Sequence, residues 1–221
     1  MNEKEAARLI DISAVQAYNN KQDIDELIAC AKEYHFYSVH TLPSWTSYLS
    51  EQLKDYPDIY VGAPVGFPSG GAQTLIKMQE AKQLITDGAR ELDMVINIGK
   101  LKSGEVRYVE DEIKQVRQLC ADLPLKIILE TSYLTHDEIK VGCELSINAQ
   151  ADYIKTGTGW TQKGTTIEII KLIKDFVGSS IKLKASGGIR DYETFKKCMA
   201  LGVDRFGINT KSAIEIVKKF Q

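Results

Sequence analysis

Two lysines, each at the end of a short apolar run, are the residues in this sequence best suited to chemistry. Lys155 ends the run 153–155 and Lys184 ends the run 181–184, and glycines follow both. The apolar residues favour strands, and the glycines favour turns. One lysine at a strand end is also typical of a side chain whose stem reaches solvent. Two at matching strand ends predict a shared cavity, where one ammonium disfavours charging the other and leaves a neutral amine nucleophile.

The elements that must position these lysines alternate along the whole chain. Short runs that favour strands are separated by segments with helical spacing, such as 23–32 and 106–120. The eight predicted strands lie at 9–12, 36–40, 60–65, 91–96, 125–130, 152–160, 181–185 and 203–208. Eight strands alternating with eight helices predict a parallel sheet. A single-domain (β/α)8 TIM barrel over residues 1–221 is the favoured fold, and a doubly wound open sheet is the alternative.

Local signals refine the boundaries of these elements. Thr135 with Glu138, and Thr165 with Glu168, have the spacing of capping boxes that begin helices. Asp191 is a predicted N-cap for the helix that follows it. Pro64 lies inside a predicted strand, where it favours a barrel rim or a bulge.

The carboxyl ends of the predicted strands carry several polar and charged side chains. In a barrel, functional groups cluster at these ends. Any one of these residues could simply be a solvent-exposed residue at the barrel rim. The whole set places both positive and negative charges within strands that are otherwise apolar, which indicates a functional site. His40 has two interpretations, a titrating group in a pocket or a packed, hydrogen-bonded histidine. The set is Asp11, His40, Asp93, Asn97, Glu130, Lys155 and Lys184.

Two glycine-rich turns follow the last two strands, at 186–190 and 207–210. Loops in these positions of a barrel often bind phosphate through backbone N–H groups and a helix N-terminus. A tight turn is the simpler interpretation of either turn alone. Their joint position predicts a phosphate site.

Composition limits the classes of partner. The 221 residues carry a net charge of −2, with 43% hydrophobic and 26% charged residues, which does not favour nucleic acid. No apolar run approaches the length needed to span a membrane. The four cysteines are widely spaced, which indicates reduced thiols and a cytoplasmic location. The three histidines are too scattered to predict a metal site.

Longer motifs resemble the deoxyribose-phosphate aldolase family. The resemblance runs from about Ile10 to Ile214 and implies a class I aldolase on a (β/α)8 barrel. It further implies reversible cleavage of 2-deoxy-D-ribose 5-phosphate to D-glyceraldehyde 3-phosphate and acetaldehyde, with no metal or cofactor. A homodimer or higher homo-oligomer is expected for such a barrel. The motifs are LDMVINIG at 92–99, ILET at 128–131, YIKT at 153–156 and KASGGIR at 184–190, with shorter matches at 66–68 and 101–104.

The resemblance also implies roles for individual residues. Lys155 matches the Schiff-base lysine, Lys184 the second lysine that perturbs it, and Asp93 the carboxylate of a proton relay. Asp11 matches an acidic residue that supports the active site from the first strand. The positions that match the family's phosphate site are Gly159, Gly187, Gly188, Gly207, Asn209 and Thr210.

The chain departs from the family pattern around the expected substrate mouth. His40 replaces a cysteine, and Gly157 replaces a serine. The other departures are Ile12, Ser13, Trp160, Asn209 and Thr210. Drift at unimportant positions is one interpretation, and a changed aldehyde or sugar phosphate is another. Two further hypotheses remain, a phosphosugar isomerase that uses Asp93 and Glu130 as acid and base, and a sugar-phosphate binder without turnover.

Overall fold

The structure, a computed structural model, describes residues 1–220. Within these residues eight parallel strands form a closed barrel, in which each strand pairs with the next along the chain and β8 pairs with β1. The predicted (β/α)8 barrel is therefore confirmed, and the open-sheet alternative is wrong. The strands are β1 Ile10–Ala14, β2 Ser38–Thr41, β3 Tyr60–Val65, β4 Glu91–Val95, β5 Leu125–Ile128, β6 Tyr153–Lys155, β7 Lys182–Ser186 and β8 Arg205–Asn209.

Ten α-helices lie in the described part of the chain, two more than the sequence predicts. The additional ones are the short helices α1, which precedes the barrel, and α5, which directly follows β4. The helices are α1 Glu3–Ala7, α2 Lys21–Tyr34, α3 Thr46–Leu53, α4 Thr74–Thr86, α5 Ile98–Lys102, α6 Val106–Leu119, α7 His136–Asn148, α8 Ile167–Val177, α9 Tyr192–Ala200 and α10 Thr210–Val217.

Two of the predicted helix caps are confirmed. The Thr135 side chain accepts a hydrogen bond from the Glu138 N–H, and the Glu138 carboxylate accepts one from the Thr135 N–H, which completes the capping box of α7. The Asp191 carboxylate accepts from the Thr194 N–H at 2.8 Å and begins α9. Each cap satisfies an N–H group that has no partner inside its helix.

The predicted cap of α8 is wrong by one residue. Thr166, not Thr165, is the N-cap, and its side chain accepts from the Ile169 N–H. Thr165 is engaged elsewhere, because its N–H donates to the Gly187 carbonyl and its hydroxyl donates to the Ser186 carbonyl. Thr165 thereby fastens the loop after β6 to the glycine turn after β7.

Pro64 is the second-last residue of β3, so it lies near the barrel rim at the carboxyl ends of the strands, which is one of the two positions expected for it. It pairs in register with Asp93 of β4. The ladder between β2 and β3 ends at Gly62, two residues earlier. A missing N–H at Pro64 therefore removes no hydrogen bond to β2.

Side chains alternate between the two faces of each strand. One set is apolar and fully buried between the barrel and its helices, for example Ile12, Met94 and Ile127. This layer is the hydrophobic core, where each such side chain contributes about 1.5–3 kcal/mol. The other set points into the barrel, which usually holds branched aliphatic residues. Here the interior holds charged residues instead, and they form the candidate site.

No helix within residues 1–220 is both long enough and apolar enough to cross a membrane.

Candidate active site

Lys155, Lys184 and Asp93 meet inside the barrel. Lys155 and Lys184 are register partners on the neighbouring strands β6 and β7. Their amino nitrogens each lie 2.8 Å from the same oxygen, Oδ2 of Asp93, which reaches across from β4. All three side chains are buried. The structure therefore brings together the two lysines and the carboxylate that the sequence singles out.

Asp11 belongs to the same cluster, together with three residues that sequence reasoning missed. The Lys184 nitrogen lies 2.5 Å from Asp11 Oδ2. Lys126 contacts Glu91 at 2.8 Å and Asp93 at 3.0 Å, and Arg205 approaches Asp11 at 3.7 Å. The available signal was a charged residue at an alternate position of a buried strand, which a barrel must place inside. We call this cluster the interior network: Asp11, His40, Glu91, Asp93, Lys126, Lys155, Lys184 and Arg205.

The charges of the interior network explain why one of its amines is a nucleophile. Its three carboxylates can be balanced by Lys126, Lys184 and Arg205, which leaves Lys155 as a fourth cation. Burial lowers the pKa of Lys155 to about 8; Asp93 opposes that shift, and Lys184 and Lys126 add to it. About one-tenth of Lys155 is therefore a neutral amine at pH 7, far more than for a lysine of ordinary pKa, and Schiff-base formation requires that neutral form.

The carboxylates of the interior network remain ionised. Burial by itself would raise the pKa of Asp93, but the ammonium groups of Lys126, Lys155 and Lys184 hold it well below its usual range. Burial is also the largest single effect on Glu91 and raises its pKa, but Lys126 and His40 together outweigh it and lower that pKa to about 2. Nearby opposite charges thus dominate over desolvation at both sites.

His40 is both packed and placed in the pocket. Its Nε2 lies 3.0 Å from Glu91 Oε1 and 3.1 Å from Ser38 Oγ, and its Nδ1 lies 3.9 Å from Asp93 Oδ2. Gly62 makes room for the ring, since a Cβ there would lie 2.2 Å from Cε1 of His40. These contacts support the packed, hydrogen-bonded interpretation of His40, and the ring lies in the pocket as well.

Asp11, His40 and Glu91 also have the ligand types of a metal site, with three ligand atoms within 4.8 Å of one another. Ammonium groups already neutralise both carboxylates, Lys184 at 2.5 Å from Asp11 and Lys126 at 2.8 Å from Glu91. A divalent cation would have to displace these ammonium groups or remain beside them. The donor set is therefore a poor fit to a metal ion.

Two adjacent cavities lie above the interior network. A small chamber of about 20 Å³ lies directly over Lys155 and Lys184 and is also lined by Pro64 and Phe67. A cleft of about 740 Å³ continues outward to the surface. Thr158 and other residues line both cavities, so the chamber beside Lys155 adjoins the cleft.

The residues predicted to hold phosphate gather around the cleft. They come from the loops after β6 and β7, from β8 and from the start of α10, and all six line the cleft: Gly159, Gly187, Gly188, Gly207, Asn209 and Thr210. Gly187 and Gly188 have φ values of +85° and +99°, which a residue with a side chain adopts only under strain. Asn209 is the N-cap of α10, and its side-chain oxygen accepts from the Ser212 N–H. The Asn209 side chain therefore caps α10, and the backbone at the N-terminus of α10 faces the cleft.

Asn97 and Glu130 lie at strand ends but outside the interior network. Asn97 caps α5, where its side-chain oxygen accepts from the Lys100 N–H at 3.1 Å. The Glu130 carboxylate accepts hydrogen bonds from the Thr158 N–H and hydroxyl. The Asn97 side chain therefore stabilises the start of α5, and the Glu130 side chain stabilises the loop after β6, rather than either one contacting Asp93.

The departures from the family pattern divide into two groups. Ser13 and His40 line the chamber, and Gly157 lines the cleft. Ile12 is fully buried in the outer hydrophobic core, so it is not part of the mouth. Trp160 lines neither cavity. Its indole N–H donates to the Val15 carbonyl at 2.9 Å, and its ring packs edge-on against Phe67.

Comparisons with known proteins agree with this geometry. The family model for DeoC/LacD family aldolases matches residues 4–204. The chain is similar to the deoxyribose-phosphate aldolase of Rhizobium meliloti, with 44% identity over 98% of this chain and 87% of that protein. It is also similar to that of Thermococcus kodakarensis, with 40% identity over 99% of this chain and 98% of that protein.

Solved structures show the same likeness. The structure described as QR15, an aldolase, has a TM-score of 0.91 and 36% identity, covering 98% of this chain and 96% of that one. A deoxyribose-phosphate aldolase from Aeropyrum pernix, described as having a unique tetrameric structure, has a TM-score of 0.90 and 26% identity, covering 99% and 92%.

Proposed function

We propose, on the premise that this chain belongs to the DeoC/LacD family of aldolases, that Lys155 is its Schiff-base nucleophile. The reaction is the reversible cleavage of 2-deoxy-D-ribose 5-phosphate to D-glyceraldehyde 3-phosphate and acetaldehyde. One observation carries the assignment of the residue. Lys155 has a pKa lowered to about 8, lies 2.8 Å from Asp93 and lines a chamber that adjoins the cleft.

The first half of the reaction uses the neutral amine. Lys155 attacks the C1 aldehyde of the open-chain sugar, and loss of water gives an iminium that withdraws electrons from the C2–C3 bond. A base removes the C3 hydroxyl proton as that bond breaks, and the proton later returns to C2 of the enamine. Asp93 is the carboxylate placed beside Lys155 for this transfer, and Lys184 fixes its position.

The second half of the site binds the phosphate end. The glycine turn after β7 and the N-terminus of α10 both face the cleft, and backbone N–H groups there suit an anion. The phosphate would therefore lie in the cleft, with the aldehyde carbon in the chamber below.

Borohydride reduction tests the proposal directly. Incubation with acetaldehyde and borohydride should leave one N-ethyl group, and peptide mass spectrometry should locate it at Lys155. In parallel, cleavage of 2-deoxyribose 5-phosphate should proceed with kcat of about 10 per second, the typical enzyme value. No adduct at Lys155 would exclude the Schiff-base mechanism and favour a binder without turnover.

A related aldolase with a different aldehyde or sugar phosphate is the second candidate. Ser13 and His40 both line the chamber that holds the reacting aldehyde, and both depart from the family pattern. An adduct at Lys155 combined with slow cleavage of 2-deoxyribose 5-phosphate would favour this candidate, and a panel of aldehydes would then identify the substrate. The isomerase hypothesis, in which Asp93 and Glu130 are the acid and base, loses support because the Glu130 carboxylate accepts a hydrogen bond from Thr158 instead of facing Asp93.

We expect the rate of adduct formation to rise with pH and to level off near pH 8. Below the pKa of Lys155, about 8, the amine is protonated and cannot attack, so the rate should fall about tenfold per pH unit. The measurement is the initial rate of acetaldehyde trapping at Lys155 between pH 6 and pH 10. A midpoint at the ordinary lysine value of 10.5 would contradict the lowered pKa.

Replacing Gly164 with alanine should weaken phosphate binding without affecting the amine. A Cβ at Gly164 would lie 2.9 Å from the Gly187 carbonyl oxygen and 3.0 Å from Gly188 Cα, so the glycine turn must shift. We expect KM for 2-deoxyribose 5-phosphate to rise about tenfold or more, with acetaldehyde trapping unchanged.

A matched control for that substitution is Gly99→Ala. A Cβ at Gly99 would make an ordinary contact of 3.7 Å with Asn97 Oδ1. Steady-state kinetics should therefore match the wild type in this variant. An unchanged KM in Gly164→Ala would argue against phosphate binding at the turn.

We further propose that residues 1–221 form one domain that assembles as a homo-oligomer in the cytoplasm. The tetrameric relative from Aeropyrum pernix supports assembly. Free thiols at all four cysteines support a reducing compartment. Light scattering of the purified protein would measure the number of subunits.

A further inference from the structure

We propose that His40 holds the proton released during carbon–carbon cleavage and returns it through Asp93 to the enamine. The inference rests on the proposed function and adds a residue to it. His40 acts through Asp93 rather than on the substrate, so it is a positioning residue. At this position the family pattern has a cysteine, so the role would be a property of this chain.

The ring is placed between the carboxylates of the interior network. His40 extends from β2 into the barrel and lines the chamber beside Lys155 and Lys184. Its Nε2 lies 3.0 Å from Glu91 Oε1, and its Nδ1 lies 3.9 Å from Asp93 Oδ2. That Asp93 oxygen is the one that both lysines contact.

These contacts set the tautomer of the neutral ring. The Glu91 carboxylate is ionised and can only accept, so Nε2 carries the hydrogen and donates it to Glu91. Nδ1 then presents a lone pair towards Asp93 Oδ2. At 3.9 Å the two atoms form no hydrogen bond in this structure. A proton on Nδ1 would turn the repulsion between the lone pair and the carboxylate into an attraction, and a shift of the ring by about 1 Å would complete a charge-assisted hydrogen bond.

The other groups around Asp93 are poor acceptors. The Lys184 nitrogen lies within 2.8 Å of Asp11 and Asp93, and the Lys126 nitrogen lies within 3.0 Å of Glu91 and Asp93, so each is a cation paired with two carboxylates. Arg205 faces Asp11. Lys155 is the nucleophile and is bonded to substrate when the proton moves. β3 contributes only Gly62 and Pro64, which do not titrate. The charged groups that surround His40 are Asp11 on β1, Glu91 and Asp93 on β4, Lys126 on β5, Lys155 on β6, Lys184 on β7 and Arg205 on β8.

The transfer balances in atoms and electrons. The C3 hydroxyl proton passes to Asp93 Oδ2 and on to Nδ1 of His40, while the O–H electron pair forms the C3 carbonyl. The C2–C3 pair becomes the C1=C2 bond of the enamine, and the iminium pair returns to the Lys155 nitrogen. Reversal of the proton path then protonates C2 and restores the iminium for hydrolysis.

Charge is conserved inside the barrel during this step. The Lys155 nitrogen loses its positive charge as the enamine forms, and His40 gains one at the same time. The buried carboxylates therefore face the same total positive charge before and after cleavage. In a low-dielectric interior, a step that creates no new net charge avoids a large desolvation penalty.

His40→Gln separates this role from packing. The glutamine amide can donate to Glu91, as Nε2 does, but it has no basic nitrogen to face Asp93. We measure the exchange of the acetaldehyde methyl hydrogens in deuterium oxide by NMR, and the yield of the borohydride adduct at Lys155. Exchange should fall at least about tenfold while the adduct yield stays within about twofold of the wild type.

His136→Gln is the matched control, because His136 is exposed on α7 and lies outside the network. Exchange and adduct yield should both be unchanged there. Equal falls of exchange and trapping in His40→Gln, or exchange near the wild-type rate, would overturn the proposal. If His40→Gln fails to fold, His40→Asn is measured in the same way. Absence of wild-type trapping at Lys155 would instead contradict the proposed function itself.

Discussion

Lys155→Met lowers the rate of aldol cleavage by at least about 10⁴-fold and removes the borohydride adduct, because no other amine takes over the covalent step. Methionine keeps a similar volume and has no nitrogen. Turnover is measured with 2-deoxyribose 5-phosphate, and adduct formation is measured by mass spectrometry with acetaldehyde. The same experiment with Lys171→Met, which removes an exposed lysine on α8, should give wild-type values.

The loss in Lys155→Met should not arise from unfolding. Lys155 is the cation in excess in the interior network, and Asp93 keeps contacts with Lys184 at 2.8 Å and Lys126 at 3.0 Å without it. We therefore expect the free energy of unfolding to change by no more than about 1 kcal/mol. Retained turnover above about 1% would point to another nucleophile, and an adduct on Lys184 would identify it.

The outer layers of the barrel were predictable because their signals are local. Apolar runs, glycine turns and caps at Thr135 and Asp191 depend on residues a few positions apart, and these placed all eight strands. Errors occurred where a longer-range contact decided the outcome. Thr165 does not cap α8 because it is bonded to the glycine turn after β7, and that contact has no sequence signature.

The interior network was only partly predictable for a related reason. Lys155 and Lys184 stand out because each precedes glycines at a strand end. Glu91, Lys126 and Arg205 sit within or at the start of their strands, where a charge suggests an exposed face. Only closure of the barrel places those positions opposite Asp11 and Asp93, and closure depends on the register of all eight strands.

The residues near the pocket that differ from the family pattern could be interpreted only with the structure. Ile12 and Ser13 are neighbours in sequence, yet Ile12 belongs to the outer core and Ser13 to the chamber. Strand alternation predicts this division once Asp11 is assigned to the inside. Trp160 could not be assigned in this way, because its contact is with Val15, 145 positions away in the chain.

Asp93→Asn should separate the two halves of the reaction. Asp93 is the group that raises the pKa of Lys155 against the effects of burial and the other lysines, so without it that pKa falls below about 8. More of Lys155 is then neutral at pH 7, and acetaldehyde trapping should persist or become faster. Cleavage should fall about 10²–10⁴-fold, because the carboxylate that moves the proton is gone.

The same substitution should destabilise the fold, because Lys126, Lys155 and Lys184 lose a common buried counter-ion. Breaking a buried ion pair costs about 3–5 kcal/mol, measured by urea unfolding. Glu112→Gln provides the matched control. It breaks the buried contact of 2.9 Å with Lys77 between α4 and α6, outside the interior network. If that variant unfolds as easily but cleaves substrate normally when folded, the loss in Asp93→Asn belongs to the chemistry. A parallel loss of trapping and cleavage in Asp93→Asn would show that Asp93 acts only by holding the two lysines in place.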